Sequence, residues 1–155
     1  MADQEKTRVC LIAVDGSKHS NHALEWFIKH VHKPNDRTIL ITCVDHSTAF
    51  AYGNVSMVPG NPDAITMAYR KEEHKARDLL KKLEELVLKH GVVAETLRVS
   101  GDAGEAIVKV AAEYEVDMIV TGCRGLGQIR RTMMGSVSDY IIHHSHTPVL
   151  VCRHD

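Results

Sequence analysis

Five short, mostly apolar runs, each separated from the next by a stretch with helical spacing, constrain this chain more than any other feature. Arg8 to Val14, Thr38 to Val44, Val92 to Val99, Asp117 to Thr121 and Thr147 to Cys152 read as strands bounded by turn residues. Between them, Ala23, Leu24, Phe27, Ile28 and Val31 repeat at helical spacing from about Ser20 until Pro34-Asn35-Asp36. Leu79, Leu80, Leu83, Leu86 and Val87 mark a long helix, capped by Asp63 and ended by Gly91; its other face is Lys and Glu. Glu105 to Tyr114 and Ser136 to about His144 supply two more helices. Alternating strands and helices imply parallel pairing through right-handed crossovers. The expected fold is α/β: a single-domain, open, doubly wound, Rossmann-like parallel five-stranded sheet of order 3-2-1-4-5 with helices on both faces. One domain is expected over residues 1–155, with 1–6 a disordered tail and 45–62 a loop long enough to suggest a role.

The end of the fourth strand carries the chemistry. Gly122-Cys123-Arg124-Gly125 follows Met118-Ile119-Val120-Thr121, and after nine further residues Gly135-Ser136-Val137-Ser138 opens a helix continued by Tyr140 and Ile141. Glycine lets a backbone approach a ligand closely. A helix start offers unpaired N–H groups and the positive end of a dipole, and Ser136 and Ser138 add hydroxyl donors, so the pattern suits a polyphosphate. It is no P-loop, because G-x-x-x-x-G-K-[ST] is absent. Gly125-Leu126-Gly127-Gln128-Ile129-Arg130 lacks the third glycine of a dinucleotide turn and follows the fourth strand rather than the first. The loop Ser-Gly-Gly-x-Asp-Ser of adenylating enzymes is absent too. In a doubly wound sheet, ligands bind at the carboxyl ends of strands where the order reverses. With strand one beside strand four, Asp15 would face the glycine loop across that crevice.

Composition bounds the partners. A net charge of -1 without a basic, aromatic-studded stripe argues against nucleic acid. No apolar run approaches a membrane span, and Met1-Ala2-Asp3-Gln4-Glu5-Lys6 lacks the apolar core of a signal peptide. Cys10, Cys43, Cys123 and Cys152 form no C-x-x-C pair and read as reduced thiols, so a cytoplasmic location is expected.

The spacing Gly-x-x-Gly, nine residues, Gly-Ser-x-Ser resembles that of the universal stress protein family in its ATP-binding branch, and the resemblance covers almost the whole chain. Val14-Asp15-Gly16-Ser17 and Thr42-Cys43-Val44-Asp45 are similar to the family's first two strand ends. Gly101-Asp102-Ala103 resembles its Gly-Asp-Pro turn with alanine for proline; Tyr140, His143-His144 and Pro148-Val149-Leu150-Val151 resemble its last helix and strand. The resemblance implies an ATP site formed by Ala13, Asp15, Cys43, Gly122, Arg124, Gly125, Gly127, Gly135, Ser136, Val137 and Ser138. Adenine would take main-chain hydrogen bonds at Cys43, and Asp15 would accept from the ribose hydroxyls. The glycines and Arg124 would wrap the phosphates, with the Gly135–Ser138 helix start donating. The phosphates rather than protein ligands would carry a divalent ion, expected to be Mg2+. The family also implies a homodimer through Val149 to Cys152, and a stress-response or signalling module read by an unknown protein partner, with at most slow ATP hydrolysis. The rival functions are a genuine ATPase or phosphotransferase and an ATP-independent chaperone-like or scaffold dimer.

Each functional residue has a plainer reading. Asp15 ahead of Gly16-Ser17 equally suits an Asx turn. Arg124, Arg130 and Arg131 are a phosphate clamp or a solvated basic edge. His30-x-His32 and His143-His144-x-His146 lack an acid or cysteine at metal spacing, and His74 reads as surface. Cys43 and Cys123 are redox-sensitive thiols or inert buried sulfur. Asp15 and Ser17 have no histidine placed to make a hydrolase. Met57 to Met67, with Met133 and Met134, is partner surface or core filler. Substitutions at the loop glycines are expected to leave the fold intact.

Overall fold

The computed structural model describes residues 6–46, 62–123 and 135–154. The chain runs β1 (Val9–Ala13), α1 (Lys18–His30), β2 (Arg37–Val44), α2 (Pro62–Lys89), β3 (Ala94–Ser100), α3 (Ala103–Glu113), β4 (Met118–Cys123), α4 (Ser136–His144) and β5 (Val149–Arg153). The strands form one parallel sheet in the order β3-β2-β1-β4-β5, as the alternation of strands and helices predicts.

Strand alternation sorts the core into two layers. Cys10 and Ile12 of β1 point to one face and join Leu40, Val120 and Cys152 under α1 (Ala23, Leu24, Phe27) and α2 (Leu80, Leu83, Val87). Leu11 points the other way and joins Ile39, Ile41 and Ile119 under α3 (Ile107, Val110, Ala111) and Ile141 of α4. Apolar residues on both faces are what a central parallel strand requires. Gly104 lets α3 and α4 meet closely: a Cβ there would lie 2.7 Å from the Tyr140 ring.

Helix starts differ from the sequence expectation in instructive ways. Ser17 caps α1 by accepting from the Ser20 N–H (3.2 Å), so the helix begins before Ser20. Asp102 caps α3 by accepting from the Glu105 N–H (3.0 Å), moving that start to Ala103. Asp63 is not the cap of α2: the helix already includes Pro62, whose fixed φ suits a first helical position, and Asp63 lies in the first turn, where an acid complements the dipole.

A half-buried ion pair ties the amino ends of β1 and β2 together. Arg8 donates Nε to Asp36 Oδ1 (3.0 Å) and Nη2 to Asp36 Oδ2 (2.6 Å) and to the Val31 carbonyl (2.9 Å), while the Lys33 N–H donates to the same carboxylate (2.7 Å). Burial by itself would raise the Asp36 carboxyl, but the Arg8 and Lys33 hydrogen bonds outweigh it and hold the group below its ordinary value. Asp36→Asn leaves the Arg8 charge without its carboxylate and is expected to cost about 2 kcal/mol by urea unfolding at neutral pH. A depressed carboxylate stabilises the fold above its unfolded-state value, about 3.9, and the contribution fades as pH falls through the folded value. The gap between wild type and variant should therefore close in acid.

Candidate functional site

The sheet has a notch at its centre. In the β1–β2 register Ala13 stands opposite Ile41, so Thr42, Cys43 and Val44 run on past the end of β1. On the other side β1 pairs Ile12 with Val120, and Gly122 and Cys123 of β4 likewise run on beyond Ala13. Connections leave β1 and β4 in opposite directions, so the notch is the point where the strand order reverses.

A cleft of about 400 Å³ occupies this notch. Ala13, Asp15, Cys43, Gly122, Gly135, Ser136, Val137 and Ser138 all line it, so eight of the residues expected from the sequence are brought together. Arg124, Gly125 and Gly127 lie outside the described residues, as do Arg130, Arg131, Met57, Met133, Met134 and most of the loop expected over 45–62.

Three helix starts border the cleft, and they are not equivalent. α1 is capped by the Ser17 side chain and α3 by Asp102. The cap position of α4 is Gly135, with φ -60° and ψ 149° and no side chain to satisfy the first N–H groups. Ser136 is exposed beside it.

The serines divide between structure and surface. Ser138 is 3% exposed, and its hydroxyl donates to the Gly122 carbonyl (3.0 Å) while sharing a hydrogen bond with Thr121 Oγ1 (3.2 Å). That hydroxyl fastens α4 to the end of β4.

Gly122 also differs from expectation. It lies inside β4, paired with Cys152 of β5, rather than in a turn. A Cβ there would stand 2.4 Å from the His19 carbonyl oxygen and 2.6 Å from its carbon. The close approach this glycine permits is that of the first turn of α1. Its replacement is therefore expected to destabilise the fold, where the sequence suggested a change without structural cost. Gly135 is the opposite case: among the described residues no atom lies within 4 Å of a built Cβ.

Asp15 forms the Asx turn that its local sequence suggests: Oδ1 accepts from the Ser17 N–H (2.8 Å), and the Asp15 N–H donates to Ser20 Oγ (3.2 Å). This fixes the carboxylate at the cleft wall. Cys43 donates Sγ–H to the Gly101 carbonyl (3.2 Å); burial, then the charges of Asp45 and Asp102, push its thiol above the ordinary value. A thiol held protonated is a poor redox sensor.

The histidine clusters separate into local contacts. His143 and His144 use Nδ1 toward the carbonyls of Asp139 (2.8 Å) and Tyr140 (2.9 Å), His30 packs on Trp26, and His74 pairs with Asp78 on the surface (3.2 Å). Among the described residues no group of three His, Cys, Asp or Glu side chains is arranged to hold a metal ion. Met67 is 71% exposed, so this methionine is no core filler.

Residues outside the expected site set complete the lining: Val14, Ser17, His19, Ser20, Ile41, Ala103, Ile107 and Thr121. Ala103 follows the Gly101-Asp102 turn, which was a usable signal. His19 had none, because a histidine in a helix first turn is ordinary until the strand beside it is known.

Fold and cleft together define a doubly wound α/β protein with a ligand-sized cavity at its switch point, walled by one uncapped helix start. Residues 6–153 match the family model of the Universal stress protein family, and the chain belongs to that family. It is 30% identical over 144 residues to universal stress protein YxiE of Bacillus subtilis, covering 92% of this chain and 97% of that protein. In fold it is similar to a universal stress protein family protein from Arabidopsis thaliana with AMP bound: TM-score 0.69, 20% identity, 96% of this chain and 92% of that one. It is similar also to a universal stress protein in complex with cAMP: TM-score 0.66, 21% identity, 94% and 96%.

Proposed function

We propose that this protein binds ATP in the switch-point cleft and acts as a stress-response or signalling module rather than as a dedicated enzyme. One observation carries the reading: of the helix starts around the cleft, α4 alone has a cap residue with no side chain, leaving N–H groups and a positive dipole end for an anion. The bound AMP and cAMP of the two relatives support an adenine nucleotide as the ligand class. A cleft of about 400 Å³ also falls within the size of small-molecule sites.

In this reading the adenine lies toward Ala13 and the overhanging end of β2 at Cys43, the ribose meets Asp15, and the phosphates reach Gly122 and the Gly135–Val137 backbone. Arg124, Gly125 and Gly127 close over them. Mg2+ travels on the phosphates. Among the described lining residues there is no lysine to meet a γ-phosphate, so any hydrolysis is slow. The site sits within one domain of 1–155 in the cytoplasm; among the described residues no helix is long and apolar enough to cross a membrane. β5 is an edge strand with half-buried Val149, Leu150 and Val151, and an open edge invites pairing with a second copy. Nucleotide would order the surface that a protein partner reads.

The test is to purify the protein without added nucleotide, denature it and identify what is released, then to melt the stripped protein with Mg·ATP. At a hundredfold excess over Kd, binding stabilises by about 2.7 kcal/mol, which raises Tm by about 8 °C. Released ATP and such a shift support the reading. No nucleotide and no shift would defeat it, and released ADP would favour the ATPase.

A further inference from the structure

Three imidazoles meet at the β5 side of the cleft. His19 and His22 project from the first turns of α1, and His154 follows β5; the His154 ring stands edge-on to both, with centroids 6.0 Å from His19 and 4.8 Å from His22. His19 lines the cleft and is the only cationisable side chain among its described lining residues. Its Nδ1 is buried without a hydrogen-bond partner among the described residues, although a buried polar atom ordinarily has one. The His19 main chain packs directly on Gly122, so this imidazole belongs to the Gly122 end of the cleft rather than the Cys43 end.

We propose that His19 is a proton-linked contact for the outer phosphates of the ligand: binding a polyphosphate charges the imidazole, and affinity rises as pH falls. The proposal rests on the nucleotide reading above and deepens it.

The physical reason is charge pairing: an anion placed beside His19 favours the charged imidazole and draws in a proton. The other charged or titratable groups nearby do not substitute for it. Lys18 is exposed on α1; Cys123 and Cys152 are buried sulfurs on β4 and β5; Arg153 is exposed. Asp15 is hydrogen-bonded to Ser17 and Ser20 at the start of α1, and Asp139 of α4 faces His143 (3.6 Å). A carboxylate repels phosphate, so Asp15 cannot itself give tighter binding in acid.

The experiment is calorimetric titration of Mg·ATP, and separately of AMP, into the full-length protein between about pH 8 and about pH 5.5, in two buffers of different ionisation enthalpy. Wild type should bind ATP about tenfold more tightly at the acid end, with net proton uptake, and AMP should respond less. Phosphate itself titrates near pH 6, so the informative quantity is the difference from variants that see the same ligand. His19→Gln should lose most of the pH response. His19→Lys should bind at pH 8 as tightly as wild type does in acid, a rescue that packing alone does not explain. An unchanged slope and proton uptake in His19→Gln would overturn the proposal while leaving the nucleotide site standing. No binding of either ligand at any pH would overturn both.

Discussion

Gly122→Ala is expected to lose about 3 kcal/mol of unfolding free energy and to lower Tm by about 9 °C. The effect follows from where the new methyl group would go. It would arrive 2.4 Å from the His19 carbonyl oxygen, 2.6 Å from its carbon and 3.0 Å from the Ser20 nitrogen, all main-chain atoms of the first turn of α1. A side chain can rotate away from such a contact, but a helix turn cannot. α1 is held in place by Ala23, Leu24 and Phe27, all fully buried or nearly so. The strand cannot retreat either: Gly122 is paired with Cys152 and its carbonyl accepts from Ser138. Alanine's better strand propensity recovers only a fraction of a kcal/mol. Because the loss is a sizeable share of ordinary domain stability, equilibrium unfolding in urea reads it easily. A variant within about 1 kcal/mol of wild type would show that α1 and β4 are less tightly registered than their geometry says.

The same glycine shows which parts of the structure were legible in sequence. Among the described residues periodicity locates the five strands and four helices, because two-sided burial makes central parallel strands read as apolar runs and helices carry a single apolar face. Alternation then selects parallel pairing, and the observed order agrees. The ends are harder. Gly122-Cys123 reads as the start of a turn, since glycine weakens a strand, yet pairing with Cys152 and Arg153 extends β4 through both residues. That pairing joins residues thirty apart, which no local pattern reveals. Ser138 is similar: a serine in a helix first turn looks like a donor to solvent or ligand, and only the fold shows that its hydroxyl donates to the Gly122 carbonyl. Of the cleft, the glycine and serine markers were visible because they depart from apolar periodicity. Ile41, Thr121 and Ile107 were not, because they sit within the strand and helix patterns.

Gly135→Asp is expected to leave stability within about 1 kcal/mol of wild type while weakening Mg·ATP binding at least about a hundredfold. The backbone at Gly135 lies in the extended region (φ -60°, ψ 149°), and among the described residues a built Cβ meets nothing within 4 Å, so a larger residue fits there. Aspartate is among the best residues for a helix cap: its carboxylate accepts the N–H groups that glycine leaves open and favours the positive end of the dipole. The substitution therefore helps α4 as a helix and occupies, with charge of the same sign, the place assigned to phosphate. Any reading in which α4 is merely structural predicts a neutral or stabilised protein with no other consequence. Gly135→Asn separates the two contributions, because it caps the same N–H groups without the charge and should weaken ATP by only about tenfold. Wild-type affinity in Gly135→Asp, by fluorescence or calorimetric titration, would move the phosphates away from α4 and with them the proposed orientation of the nucleotide. Weakened binding in a protein that melts no lower than wild type places them there, since the change that strengthens the helix can harm binding only by competing for its N-terminus.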